Sequence, residues 1–348
     1  MRPFLLRLSC FGLIQAAIAA LVLSFGRDES PATDNYMAAL FDKHELLQDQ
    51  SRPRIIVLGG SSVAFGLASP ELAKRFDRPV VNLGLHAALG LEPLLRMAEK
   101  YVREGDVIVV APEYALMSKT AQFHGTQEFR EELLKVWPGA AGYWSVDAAP
   151  EPLWVRAKRF GDEQGLAAFH DAFVRAADRL AMAARTTRHA ADQSVYRRSG
   201  FNQYGDMAAH YGQPSAVPAD ERARIGGGGL PDSPEIVQRL NAFAEHCERR
   251  GADVYFAYAP LPREFYDQRR KPLARLHAHL TSHLRFPVLH EPQATAFSWD
   301  RFFDTSTHLT GDGARERTAV VADTLAAHLE GRGGAPLAGR PSTGSTIR

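Results

Sequence analysis

Unbroken apolar runs set the tightest limit on the fold. Ile55-Ile56-Val57-Leu58 and Val107-Ile108-Val109-Val110 are continuous and largely β-branched, with no polar alternation. A strand with one face in water alternates; an unbroken one needs cover on both faces, as in a parallel sheet. The pattern predicts five strands, at residues 54–58, 80–83, 107–111, 253–258 and 287–289. Parallel strands need crossover connections, and helical stretches separate these runs. Helices are expected over 36–50, 70–76, 88–103, 234–250, 264–284 and 312–330. Ser69 reads as the N-cap of the second, with Pro70 at its first position. Strand and helix in alternation predict a doubly wound α/β domain over residues 53–330.

The alternation fails over residues 115–232, which hold Trp137, Trp144, Trp154, a helical run at 166–185 and the Gly226-Gly227-Gly228-Gly229 link. This reads as a helical insertion at the carboxyl edge of the third strand, where open α/β sheets build their ligand sites. The tryptophans suit the insertion's own core better than a sugar platform. The tail, 331–348, is rich in Gly, Pro, Ser and Thr and is expected to be disordered.

With 348 residues, 45% of them hydrophobic, the chain can bury a sizeable core. Its net charge of +1 lacks the basic excess of a dedicated nucleic-acid binder. Arg156-Ala157-Lys158-Arg159 and Arg269-Arg270-Lys271 read as solvated helix faces. Cys10 and Cys247 are not expected to pair, and neither shows metal-ligand spacing.

Residues 8–25 are almost wholly apolar, preceded by Arg2 and Arg7. As a helix they would span roughly 27 Å, close to the bilayer hydrocarbon thickness. The reading favours an uncleaved transmembrane anchor (residues 1–27) and a juxtamembrane linker with a helix (28–52). The positive flank puts the body outside the cytoplasm. A cleaved signal peptide is the rival, but Leu21-Val22-Leu23 carries the apolar run past its small residues. A buried core helix is third.

Two distant segments carry the chemistry. The first strand breaks into Gly59-Gly60-Ser61-Ser62, a tight turn delivering a serine; Asp304 and His308 share one short loop. A serine hydroxyl becomes nucleophilic when a base takes its proton and a third group orients that base. The plainer alternatives are tight backbone or a phosphate cradle for the turn, and an N-cap with a surface histidine for the pair. The Lys of a P-loop is missing. His86 reads as structural. His124, His277, His279, His283 and His290 read as surface positions.

The strand–Gly-Gly-Ser turn, Asn82-Leu83-Gly84 after the second strand and the late Asp…His-Leu resemble the SGNH or GDSL hydrolase superfamily. Residues 57–66 look like its membrane-anchored, extracytoplasmic branch, related to polysaccharide O-acetylation and to D-alanyl transfer onto teichoic acids. The resemblance spans residues 54–114 and 253–330 and implies a flavodoxin-like sheet of SGNH type. It puts the nucleophile on Ser61, with Ser62 as runner-up, the base on His308 and its orienting carboxylate on Asp304. It puts oxyanion donors on the N–H groups of Ser61 and Gly84.

Three positions depart from that pattern. Gly60 stands where the family has Asp, the Asp-to-His spacing is one residue longer, and Ala111-Pro112-Glu113-Tyr114 replaces the block that supplies an Asn donor. Glu113 and Tyr114 are candidate lining residues, and Asn202 a candidate replacement donor. The resemblance implies ester chemistry on a cell-envelope or exported polysaccharide, as acyltransferase or esterase, beside a membrane-embedded acyl donor and without a cofactor. It implies an inner-membrane, single-pass protein with a periplasmic domain. The alternative is an inactive envelope assembly or carbohydrate-binding protein that kept the fold.

Overall fold

The computed structural model describes residues 33–49, 51–118, 120–144, 195–223 and 233–331. Four parallel strands form the main sheet: β1 (Ile55–Leu58), β2 (Val80–Asn82), β3 (Val107–Val110) and β4 (Asp253–Phe256), in the order β2-β1-β3-β4. Ile55 aligns with Val80 on one side and Val107 on the other, and Val107 aligns with Asp253. The helices are α1 (Ala39–Gln48), α2 (Ser61–Ala64), α3 (Ser69–Phe76), α4 (Glu92–Tyr101), α5 (Thr120–His124), α6 (Gln127–Val136), α7 (Ala219–Ala223), α8 (Pro234–Arg249), α9 (Arg263–Gln268), α10 (Arg270–His283) and α11 (Gly311–Gly331).

Strand pleating explains why the runs are unbroken. Ile56, Leu58, Ile108, Val110 and Phe256 point to one face, where they pack with Leu40 of α1, Leu95 of α4, Phe243 of α8 and Leu280 of α10. Ile55, Val57, Val107, Val109 and Tyr255 point to the other, against Leu72 of α3 and Val321 and Leu325 of α11. The protein is therefore α/β, with a parallel sheet covered on both sides.

The structure revises several expectations. The fifth strand shrinks to a single bridge between Phe256 and Val288. Phe256 N–H donates to Pro287 O at 2.9 Å and Leu289 N–H to Phe256 O at 2.8 Å. Pro287 has no N–H to extend the ladder. Ser69 is the first residue of α3 and not its cap, because its N–H and hydroxyl both go to Asp206. The helix expected from residue 88 starts at Glu92, after a 3-10 turn at Ala87–Leu89. Gly90 breaks it at φ 82°, where a Cβ would lie 2.3 Å from Gly125 N. The 264–284 helix splits at Arg269, since Pro272 can neither donate to the Gln268 carbonyl nor clear it.

The 8–25 segment, Trp154, the 166–185 run, the Gly226–Gly229 link and residues 332–348 lie outside the described residues. No helix among the described residues is long and apolar enough to cross a membrane.

A buried ion pair closes the amino edge of the sheet. Arg54 and Asp106 meet at 2.9 Å, with side chains 2% and 0% exposed. Asp106 also accepts the Arg54 N–H, and the guanidinium donates to the carbonyls of Leu47, Asp49 and Tyr101. Removing one partner strands a buried charge. Asp106→Ala is expected to cost about 3–5 kcal/mol in a chemical-denaturation midpoint shift.

His290 is buried, not a surface residue. Its Nδ1 bonds the Glu291 carbonyl and its Nε2 has no partner among the described residues. Burial lowers its pKa to about 4. The unfolded chain takes up that proton near the ordinary 6.5, so stability is full above that value and lost as pH falls toward 4. That loss amounts to about 3 kcal/mol. In unfolding measurements across this range, His290→Gln is expected to flatten the slope.

Candidate active site

Ser61 opens α2 directly after β1, at the carboxyl edge of the sheet. Chain order β1, β2, β3 against sheet order β2-β1-β3 makes this the point where the winding reverses, the position at which open α/β sheets bind their ligands. Ser61 keeps 9% of its surface exposed. Ser62 is fully buried and its Oγ has no partner among the described residues. Of the two, Ser61 is the less deeply buried.

The turn is fixed by Glu113, which follows β3. One carboxylate oxygen accepts the Gly60 N–H at 3.0 Å and the other the Ser62 N–H at 2.7 Å. Any larger residue at 60 would collide. A Cβ there would lie 2.6 Å from both Glu113 oxygens and 2.7 Å from Ala87 Cα. The Asp expected from the family pattern would not fit.

At the other end of α2, the fully buried guanidinium of Arg317 donates to the Ser62 carbonyl at 2.6 Å. Burial lowers its pKa to about 10, opposed by the charge of Glu113. Acid at the amino end and base at the carboxyl end both suit the helix dipole.

His308 and Asp304 sit in a closed loop. Phe302 pairs with Leu309, and Phe303 N–H donates to His308 O at 2.7 Å. Thr305 Oγ1 accepts the His308 N–H at 3.1 Å. The longer Asp-to-His spacing is thereby folded back on itself, and His308 Nδ1 lies 2.9 Å from Asp304 Oδ1. Burial works to raise the Asp304 pKa, but hydrogen bonds from His308 and Tyr196 outweigh it and hold the carboxyl below its usual value. The imidazole stacks on Phe65 with centroids 4.1 Å apart and planes 9° apart. Phe65 is four residues after Ser61, so both lie on one face of the α2 turn and the imidazole is held over that face. No hydrogen bond joins Ser61 Oγ to His308. Such bonds commonly tighten only with substrate present.

Other expected site residues are engaged elsewhere. Gly84 packs against α2, where a Cβ would sit 2.5 Å from Ala64 N. Its N–H already donates to Asn82 Oδ1 at 2.9 Å. Asn202 Oδ1 accepts the N–H groups of Tyr204 and Asp206, and its amide donates to Asp206. It shapes its own turn. The buried Tyr114 hydroxyl has no partner among the described residues, and the ring stacks on Tyr258. His86 lies against Phe129, with burial the main cause of its lowered pKa and His308 the second.

Sequence reading missed the share taken by residues 195–223. Met207 packs with Ala64, Phe65 and Phe303, and its N–H donates to Ala64 O at 2.8 Å. Asp206, fully buried, accepts from Ser69 twice, from Asn82 and from Asn202. Lys43 donates to the carbonyls of Asn82 and Gly205, and burial lowers its pKa to about 7. Tyr196 reaches Asp304 and His308 from the same segment. Asn202, the candidate donor, is the one residue of this segment that the sequence singles out.

Among the described residues, no group of three His, Cys, Asp or Glu could hold a metal ion. Cavities of about 500 and 430 Å³ lie away from Ser61, beside Arg239 and Arg130 respectively. No family model, curated protein or solved structure matches the chain.

Glu113→Gln keeps the shape but replaces one acceptor oxygen with a donor. One buried N–H of the serine turn loses its partner, and a loss of about 1–3 kcal/mol is expected in thermal or chemical denaturation.

Proposed function

We propose that the protein is an SGNH-type serine acyltransferase or esterase, with Ser61 as nucleophile, His308 as general base and Asp304 as its orienting group. The observation that carries this reading is the His308 ring. Asp304 holds its Nδ1 at 2.9 Å, and its face is supported by Phe65, four residues after Ser61, the less buried of the two turn serines.

Ser61 Oγ attacks the acyl carbonyl carbon, and its proton passes to His308 Nε2. The tetrahedral intermediate expels the alcohol, which takes that proton. A second hydroxyl, from a sugar or from water, attacks the acyl-serine, and its proton returns through His308 to Ser61 Oγ. The Ser61 N–H, in the first turn of α2, has no helical carbonyl within reach and faces the developing oxyanion. A second donor from Gly84 requires its bond to Asn82 to be exchanged.

The substrate class follows from the family resemblance: an acylated cell-envelope or exported polysaccharide, with the acyl group delivered by a membrane-embedded partner. The resemblance and the 8–25 segment together support an inner-membrane protein whose domain faces the periplasm.

One observation favours a second reading, an inactive envelope assembly or carbohydrate-binding protein on the same fold. The Glu113 carboxylate occupies the position of the family's Asn donor and takes up the N–H groups of Gly60 and Ser62. A fluorophosphonate probe separates the two. Labelling of the wild type and of Ser62→Ala, lost in Ser61→Ala, is the outcome expected of the enzyme. A folded wild type that takes no label is the outcome of the binding protein.

A further inference from the structure

We propose that Tyr196 is a positioning residue of this site: its hydroxyl fixes the Asp304 carboxylate and, through it, the tautomer and tilt of His308. The inference rests on the Ser61–His308–Asp304 reading above. Nothing in the sequence pattern marks Tyr196, which lies within the stretch read as the insertion.

The contacts form a closed triangle. Tyr196 O–H donates to Asp304 Oδ2, while Asp304 Oδ1 lies 2.9 Å from His308 Nδ1. The tyrosine oxygen is itself 3.1 Å from the same Nδ1. Each carboxylate oxygen thus has its own partner, and the group cannot rotate without losing one. The imidazole then keeps its Nδ1–H toward the two oxygens and leaves Nε2 for chemistry.

Packing sets the hydroxyl's position. The Tyr196 ring contacts Tyr36 at 5.7 Å and Phe65 at 5.4 Å, and Phe65 also carries the imidazole. Burial, with the bond to Asp304, pushes the phenol pKa up, so it stays a donor. Tyr196 remains 39% exposed, so it sits at the mouth of the site. Among the described residues, Glu221 accepts from the Ser306 N–H and hydroxyl in the same loop; His86 and His210 have pKa values lowered by burial and further by His308, and Tyr36 has its own raised by burial, then Glu113, then Asp304.

Tyr196→Phe keeps the ring and deletes the hydroxyl. Hydrolysis of p-nitrophenyl acetate by the full chain is expected to lose about tenfold in kcat with little change in KM, about 1.4 kcal/mol of barrier. Without the hydroxyl, more of the carboxylate charge falls on the imidazole. The downfield Nδ1–H resonance of His308, followed by NMR, is expected to move further downfield as its bond to Asp304 strengthens. In an Asp304→Asn background the same substitution is expected to add nothing.

A role in packing alone predicts an unmoved His308 Nδ1–H resonance; that result, or an undiminished Tyr196→Phe effect without Asp304, overturns the proposal. Wild-type turnover no higher than that of Ser61→Ala would instead reject the acyl-transfer reading, and the Nδ1–H resonance would still judge Tyr196.

Discussion

Two backbone N–H groups, from Gly60 and Ser62, converge on the single buried carboxylate of Glu113. The rest of the site is built around that clamp. It ties the end of β1 to the end of β3 across the point where the winding of the sheet reverses. It allows only glycine at 60 and turns Ser62 fully inward, leaving Ser61 the less buried of the pair. Arg317 completes it from behind by bonding the Ser62 carbonyl. A four-residue helix has little stability of its own. This one is held at both ends by buried groups of opposite charge.

A second set of buried polar contacts attaches the site to the segment 195–223. Asp206 gathers donors from α3, from Asn82 at the end of β2 and from Asn202. Lys43 of α1 bonds the carbonyls of Asn82 and Gly205. Such a network is costly when half satisfied and rigid when complete. Here it presses Met207 against the base of α2 and brings Tyr196 to Asp304. The residues read from the sequence as an insertion therefore include a wall of the site. The aromatic cluster of Phe65, His308, His210 and Phe303 joins that wall to the loop carrying the base.

The sheet was legible because burial on both faces leaves a local mark. Ile55–Leu58 and Val107–Val110 appear as unbroken apolar runs, and all eight residues are buried. Ends were less legible. Gly90 and Pro272 each break a helix that periodicity would continue, and Pro287 stops the fifth strand at one bridge. Those limits depend on a positive φ or a missing N–H, which hydrophobic patterning does not weigh.

Residue type and order alone established a parallel-sheet α/β core, a serine at the exit of its first strand and an Asp–His pair in a late loop. Those marks are local: pleat periodicity, turn composition and short spacing. Tertiary structure decided which serine is the less buried, that Gly84 and Asn202 spend hydrogen-bonding groups on their neighbours, and that Glu113, a candidate lining residue, clamps the turn. It also brought Tyr196 to a carboxylate 108 residues away. Hydrogen-bond allegiance is set by which groups burial forces together, and that depends on the packing of distant segments rather than on any one of them.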